Sequence, residues 1–236
     1  MNRFSLYIIL GLLSISVTYA QETEMYDYGR EFLFGGTTAT NSGLISGGFF
    51  RYGEKVSDKV LRTIGIEIAN IRHPQERKVS TGFYGASVYE GKDNYLISTR
   101  LMYGYDRILF RKADRKGVQI NAVGMGGPSI GLISPYYLRS ESGNLITYSD
   151  YLASPVPIIG SANYFTGIKE MEATLGFHLR GSLLFEFGTF KSSITGFEVG
   201  GLIEYFAREV PLVPAGTKNY NFYPSLFLSV IFGSRK

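Results

Sequence analysis

The stretch Ala173–Phe187, ATLGFHLRGSLLFEF, decides the fold class of this chain. Every odd-numbered residue in it is apolar or glycine, whereas the even-numbered residues are mostly polar or small and include His178, Arg180 and Glu186. Successive side chains of a β-strand point to opposite faces, so this alternation predicts a strand with one apolar face. The stretch is long enough to cross a bilayer, since about 9–11 tilted residues suffice.

The same period of two recurs along the chain and predicts eight strands. They are Glu31–Thr38, Leu44–Tyr52, Val60–Asn70, Tyr95–Tyr105, Val118–Leu132, Ala173–Phe187, Thr195–Tyr205 and Phe222–Phe232. The first two are short and rich in glycine, so the pattern does not assign their faces. If the chain starts in the periplasm, the periplasmic connections are short and most outer ones are long, as in bacterial outer-membrane barrels. We therefore predict an all-β fold, an eight-stranded antiparallel transmembrane β-barrel over residues 31–236.

The competing fold is a soluble barrel or sandwich, in which the apolar faces point inward. The strand charges are single, of both signs and set among small residues, which favours an interior network and hence a membrane barrel. The predicted interior polar network consists of Glu67, Arg100, His178, Arg180, Glu186, Glu198 and Glu204. Side chains fill a barrel of eight strands, so a wide diffusion pore is not expected.

The N-terminal residues resemble an export signal. Arg3 precedes an apolar run, and Thr18-Tyr19-Ala20 has the small-x-small pattern of a cleavage site. We expect residues 1–20 to be a cleaved signal peptide and residues 21–30 to be a short periplasmic segment. The predicted location is the bacterial outer membrane.

Composition removes several classes of function. The chain has no cysteine, which excludes disulfides, thiolate catalysis, cysteine-ligated metals and a lipoprotein anchor. The net charge of +4 is scattered, so nucleic acid is not an expected partner. No metal-ligand spacing appears, and we expect no cofactor. The expected partners are outer-membrane lipid and other envelope proteins.

The two histidines are the first candidates for catalysis. A catalytic histidine needs a nucleophile and an orienting acid within hydrogen-bond reach. In outer-membrane lipid hydrolases of this size a Ser–His pair faces lipid, whereas His178 is predicted to face inward, and His73 is expected to be exposed in a loop. We predict no catalytic residue; a lipid-modifying enzyme and a narrow channel remain the alternatives.

The longest predicted loop, residues 139–172, is rich in aromatic residues. Tyr148, Tyr151, Tyr164 and Phe165 are the candidate partner-binding residues in it. The alternative is that the loop folds over the barrel rim and seals it. The run from Phe165 to Met171 predicts a short helical turn.

Three groups of motifs carry a resemblance to a known family. They are Tyr103-Gly104-Tyr105 with Leu109-Phe110-Arg111-Lys112, Gly126-Gly127-Pro128-Ser129-Ile130-Gly131-Leu132 with Pro135-Tyr136-Tyr137, and Gly196-Phe197-Glu198-Val199-Gly200. Over about residues 95–236 the chain resembles an uncharacterised outer-membrane β-barrel family of the Bacteroidota. The resemblance implies a small eight-stranded barrel in the outer membrane. Some barrels of this lineage are accessory parts of the type IX secretion apparatus, which implies a non-enzymatic accessory or scaffold role.

Overall fold

The computed structural model describes residues 29–80, 87–111, 117–187 and 192–236. The predicted signal peptide and nearly all of the predicted periplasmic segment at 21–30 lie outside these ranges. Most of the described chain is strand. Within the described ranges, no helix has the length and hydropathy needed to cross a membrane.

Thirteen strands and one short α-helix occur in the described ranges. In chain order the strands are β1 (Arg30–Ala39), β2 (Gly47–Ser57), β3 (Val60–Ile71), β4 (Arg77–Ser80), β5 (Ser87–Glu90), β6 (Asn94–Phe110), β7 (Gln119–Pro135), β8 (Tyr137–Ser140), β9 (Leu145–Thr147), β10 (Ile158–Ser161), β11 (Glu172–Glu186), β12 (Ser193–Val210) and β13 (Tyr220–Arg235). The helix α1 is Tyr148–Ala153, and a 3₁₀ helix spans Ile168–Glu170.

Eight of the strands close into one antiparallel barrel, which confirms the predicted fold class. Around the ring the order is β1, β13, β12, β11, β7, β6, β3 and β2. The first and last strands complete the ring through a register that pairs Glu31 with Arg235. At its end, Arg30 and Lys236 exchange two backbone hydrogen bonds, each of 2.9 Å.

The two ends of the barrel differ in their connections. At the end that holds Arg30 and Arg235, β2 and β3 are joined by only Asp58 and Lys59. The opposite end carries the long connections, residues 72–93, 136–171 and 211–219. Short turns face the periplasm in outer-membrane barrels and long loops face outward, so we name these the periplasmic end and the outer end.

The barrel wall is apolar on its outside. The exposed aliphatic side chains of the wall include Ile64, Ile66, Ile68, Leu101, Leu179, Leu183, Val199, Ile203, Leu228 and Val230. A soluble barrel would bury such residues, because a continuous apolar surface of this extent is unfavourable in water. The charged residues between them point into the lumen and are buried. We call this outer surface the lipid-facing belt.

The outer connections contain secondary structure that the sequence patterns did not predict. Strands β4 and β5 form a hairpin, and β10, β8 and β9 form a three-stranded sheet. The 3₁₀ helix falls within the run predicted to form a helical turn, which confirms that prediction. We call the described parts of residues 72–93, 136–171 and 211–219 the outer cap.

Candidate functional site: a filled lumen beneath an outer cap

A chain of charges of alternating sign crosses the middle of the lumen. Its members, in order of contact, are Arg51, Glu198, Arg180, Glu67, Arg100 and Glu204. All six are buried. Three arginines balance three glutamates, and each neighbour in the chain is an ion-pair partner. Buried charges need such pairing, because an unpaired one costs several kcal/mol, on the order of 3–5.

Glu198 and Arg180 form the centre of this chain. Glu198 accepts from Arg51 at 2.7 Å, from Arg180 at 3.1 Å and from the Ser182 hydroxyl at 2.5 Å. Arg180 also donates to Glu67 at 3.1 Å. The Arg180 guanidinium lies 4.0 Å from the ring centroid of Phe227, which covers it with an aromatic face.

Arg100 forms the outer part of the chain. Its Nη2 donates to Glu204 at 2.7 Å, and its Nη1 donates to Glu67 at 3.3 Å. The Ser98 hydroxyl donates to the other oxygen of Glu204 at 2.6 Å. Both glutamates therefore accept charge-assisted hydrogen bonds from more than one donor, which fixes their positions.

His178 lies in the lumen but makes no hydrogen bond with the described residues. It is 0% exposed, and neither ring nitrogen has a partner there. It is therefore surrounded by the ionic chain without being joined to it. Neither a nucleophile nor an orienting carboxylate is bonded to it, and its ring does not face lipid.

Glu186 belongs to a second ionic group, at the periplasmic end. Arg235 donates to Glu186 at 2.7 Å and to Glu31 at 3.2 Å. Asp106 is buried on the neighbouring part of the lumen wall. The seven predicted network residues are thus divided by the structure: five lie in the central chain, Glu186 lies in this group, and His178 is unbonded.

Two apolar clusters alternate with the ionic groups along the barrel axis. The inner cluster comprises Leu33, Phe49, Met102, Val123, Met125, Leu184, Ile194 and Ile231. The outer cluster comprises Ile71, Leu96, Ile133, Phe206, Val210, Leu212 and Tyr223. On β6 the order from the outer end is Leu96, Arg100, Met102 and Asp106, so the lumen is filled by an apolar, an ionic, an apolar and an ionic layer in turn.

Asp93 ties the three connections of the outer cap together. Its carboxylate accepts from the Ser149 backbone nitrogen at 2.9 Å and from the Ser149 hydroxyl, at the start of α1. Its own backbone nitrogen donates to Leu212 at 2.8 Å, and its carbonyl accepts from Tyr136 at 2.7 Å. Through this one residue, the 72–93 connection is bonded to both of the other connections.

A buried ion pair lies beside this joint. Lys92 donates to Glu76 at 2.7 Å, and both side chains are buried. Its ammonium lies 4.5 Å from the ring centroid of Tyr95. Burial lowers the pKa of Lys92, and the carboxylate of Glu76 opposes that shift.

His73 lies in the outer cap, and the expectation that it is exposed is wrong. It is 3% exposed, and its ring stacks on Tyr220 with centroids 5.3 Å apart. Its Nε2 lies 3.2 Å from the carbonyl oxygen of Lys218. The cause is the 211–219 connection, which folds over the ring. Burial lowers the pKa of His73, against the opposing hydrogen bond to Lys218.

The four aromatic residues proposed for partner binding have different surroundings. Tyr148 and Tyr151 are half-buried and pack on the apolar cluster around Tyr136. Tyr164 packs on Tyr95 with ring centroids 4.3 Å apart. Phe165 is mostly exposed.

No protein-family model matches the sequence, and no curated protein matches it. Solved structures with a similar chain path include Ail, the attachment invasion locus protein of Yersinia pestis, at 11% identity and a TM-score of 0.42, covering 89% of this chain and 100% of that one. Ail in complex with the heparin analogue sucrose octasulfate has 9% identity and a TM-score of 0.39, and the match covers 88% of this chain and 96% of that one. Neisserial surface protein A has 10% identity and a TM-score of 0.39, and the match covers 88% of this chain and 96% of that one.

Eight antiparallel strands in a closed ring, an apolar outer wall and paired charges in the lumen make this chain an integral barrel of the bacterial outer membrane.

Proposed function

We propose that this protein is a closed, non-enzymatic outer-membrane barrel that acts as an accessory or scaffold subunit of an envelope complex and binds its partner through the outer cap. The observation that carries the proposal is the filled lumen, in which ionic and apolar layers alternate between the two ends. A barrel whose interior is occupied by its own side chains offers a rigid support instead of a path for solutes. The predicted signal peptide at residues 1–20 would deliver it to the envelope.

The outer cap supplies a surface suited to a protein partner. Between Leu145 and Ile159 it exposes four large aliphatic side chains, Leu145, Leu152, Val156 and Ile159. Exposed apolar side chains on an ordered surface are typical of protein interfaces. The hydrogen bonds of Asp93 hold the cap in one arrangement, which lowers the entropic cost of binding.

The resemblance to small Bacteroidota barrels supports a more specific form of the proposal. Some barrels of that lineage accompany the type IX secretion apparatus. In that setting the partner would be another envelope subunit of the apparatus. Identification of that subunit in the purification described below tests this form of the proposal.

Two other functions are less well supported by the geometry. A lipid-modifying enzyme would need its histidine on the lipid-facing wall, whereas His178 faces the lumen and His73 is packed in the cap. A narrow channel would need a continuous polar path, whereas the outer apolar cluster lies across the lumen between the ionic chain and the cap.

The partner is tested by purification of the tagged protein from its native membrane in mild detergent. The doubly substituted Leu152→Asp/Val156→Asp variant changes the exposed apolar surface of the cap. Ala215→Asp is the matched control, because Ala215 is exposed on the 211–219 connection. The wild type and the control should recover the same envelope protein in constant proportion, and the double variant should lose it. Recovery of the same protein by all three would contradict docking through this surface.

The closed lumen is tested separately by recording current across planar bilayers that contain the purified protein. The expected result is no steady conductance. A stable conductance from the wild type would support the channel alternative, and release of lipid products by the same preparation, lost in His178→Ala, would support the enzyme.

A further inference from the structure

Residues 163–170 of the outer cap, which we call the rim segment, lie against the outside of the barrel wall. Tyr95 on β6 is the register partner of Ser134 on β7. Ser134 lies on the outward face of β7, four residues closer to the outer end than Ile130. Tyr164 covers Tyr95, and Ser134 is only 2% exposed although it faces outward. The rim segment therefore covers the wall and does not extend across the mouth.

Gly167 shows how closely the rim segment approaches the wall. A Cβ atom at this position would lie 2.8 Å from the Pro135 carbonyl oxygen and 2.9 Å from the Ser134 hydroxyl. Both contacts are shorter than side-chain carbons tolerate, so only glycine permits this approach. The far end of the segment is fixed by the hydroxyl of Tyr137, which donates to Glu170 at 2.6 Å.

The rim segment directs apolar side chains away from the protein. Phe165 is 66% exposed and Ile168 is 51% exposed. Tyr164, in contrast, packs on Tyr95 of the wall. Lys169 beside them is also exposed, whereas the Glu170 carboxylate is bonded to Tyr137. An apolar pair next to an exposed cation is the pattern that interfacial segments use at a membrane surface.

The rim segment is continuous with the lipid-facing belt. Ile130, which is exposed on the same face of β7 as Ser134, lies about 13 Å from it along the strand. Ile130 pairs with Leu175 of β11, which is 70% exposed, and the rim segment leads into β11 through Met171. The belt and the exposed side chains of the rim segment therefore adjoin one another.

We propose that the rim segment is a membrane-interface anchor. It inserts Phe165 and Ile168 among the lipids of the outer leaflet, at the edge of the lipid-facing belt nearest the outer end. Lys169 lies at the level of the lipid phosphates. The proposal depends on the membrane-spanning barrel and not on the proposed partner. It assigns Phe165 and Ile168 to lipid and leaves Leu145, Leu152, Val156 and Ile159 of the outer cap for the partner.

The chain contains no tryptophan, so one introduced indole reports a single position. Phe165→Trp is prepared in the full-length protein and reconstituted in phosphatidylcholine vesicles whose acyl chains carry bromine near the headgroup. Leu175→Trp, on the belt, is the lipid-exposed control. Leu145→Trp is the water-exposed control, because Leu145 is exposed at the start of β9, in the three-stranded sheet of the outer cap and outside the barrel wall.

The expected result is that brominated lipid quenches Phe165→Trp and Leu175→Trp, while iodide present on both sides of the membrane quenches only Leu145→Trp. Emission of Phe165→Trp that responds to iodide and not to brominated lipid would overturn the proposal. Folding of each variant is checked by the shift of unheated barrels on a gel, and Ile168→Trp replaces Phe165→Trp if the latter does not fold. Failure to recover a partner in the purification experiment leaves this result unaffected.

Discussion

Asp93 caps the start of α1 from a distance of 56 residues along the chain: its carboxylate accepts hydrogen bonds from the backbone nitrogen and the hydroxyl of Ser149. Substitution Asp93→Ala removes both acceptors and leaves the Ser149 donors unpaired. We expect the cap to open more easily by about 1–3 kcal/mol. Limited proteolysis of the 136–171 connection should accelerate, while the barrel stays intact.

The matched control for this prediction is Glu90→Ala, which removes an exposed carboxylate from the same cap. If cleavage proceeds at the wild-type rate in Asp93→Ala, the joint is not what holds the cap closed.

Glu67 accepts hydrogen bonds from two arginines on the same oxygen, from Arg180 at 3.1 Å and from Arg100 at 3.3 Å. Substitution Glu67→Gln keeps the volume but leaves the lumen with an unbalanced cation. We expect a loss of about 3–5 kcal/mol in the free energy of unfolding, measured by urea titration of the reconstituted barrel.

Glu54→Gln serves as the control for the buried pair, since Glu54 accepts from Arg62 at 2.6 Å on the outside of the barrel close to the periplasmic turn of Asp58 and Lys59. This second substitution should change stability little, because water and salt screen exposed pairs. Equal effects of the two substitutions would show that the ionic chain is not desolvated.

The pKa of His73 is lowered by burial from its ordinary value of 6.5. An opened cap therefore binds a proton that the closed cap does not, so the closed form is fully stable above about pH 6.5 and loses stability as the pH falls below that value. Proteolysis of the outer cap, measured with an acid-tolerant protease, should accelerate as the pH is lowered from 7 to 5.

His73→Phe keeps a ring to stack on Tyr220 but cannot titrate, so it should remove this pH dependence. His178 lies in the lumen and stays packed when only the cap opens. An unchanged pH profile in His73→Phe would assign the dependence to another group.

Val199 lies on the lipid-facing belt, paired with Leu183 and Leu228. Substitution Val199→Arg places a charge in hydrocarbon, and we expect a cost of about 2–4 kcal/mol in folding into vesicles. Leu145→Arg, in the cap, should fold as the wild type does. An unchanged free energy of folding in Val199→Arg would mean that water or protein, and not lipid, covers this face.

The barrel could be predicted because its strands are long enough for the period of two to be unmistakable. β11 was predicted as Ala173–Phe187 and is observed at Glu172–Glu186. The two N-terminal strands gave no clear faces, because glycine occupies several of their positions. Arg51 of the central chain and Glu31 of the periplasmic group were therefore not predicted to face the lumen. The alternation of Phe32 and Phe34 with Glu31 and Leu33 is the signal that could have placed Glu31 there.

The outer cap could not be predicted in the same way. Strands β8, β9 and β10 have only three or four residues each, which is too short for periodicity to be recognised. The burial of His73 depends on Tyr220, which is distant in sequence, and the role of Asp93 depends on three separate connections. Such contacts follow from how the barrel brings its loops together.

The pairing of β1 with β13 also determines the order in which this molecule can be assembled. β1 pairs with the barrel strand farthest from it in sequence, so one edge of β1 stays uncovered until the sixteen residues of β13 are in place. Until Tyr220–Arg235 has been delivered, β1 and β12 both keep unpaired backbone groups that hydrocarbon cannot satisfy. Closure of the ring in the membrane therefore has to follow export of β13 and cannot be completed strand by strand before that strand emerges.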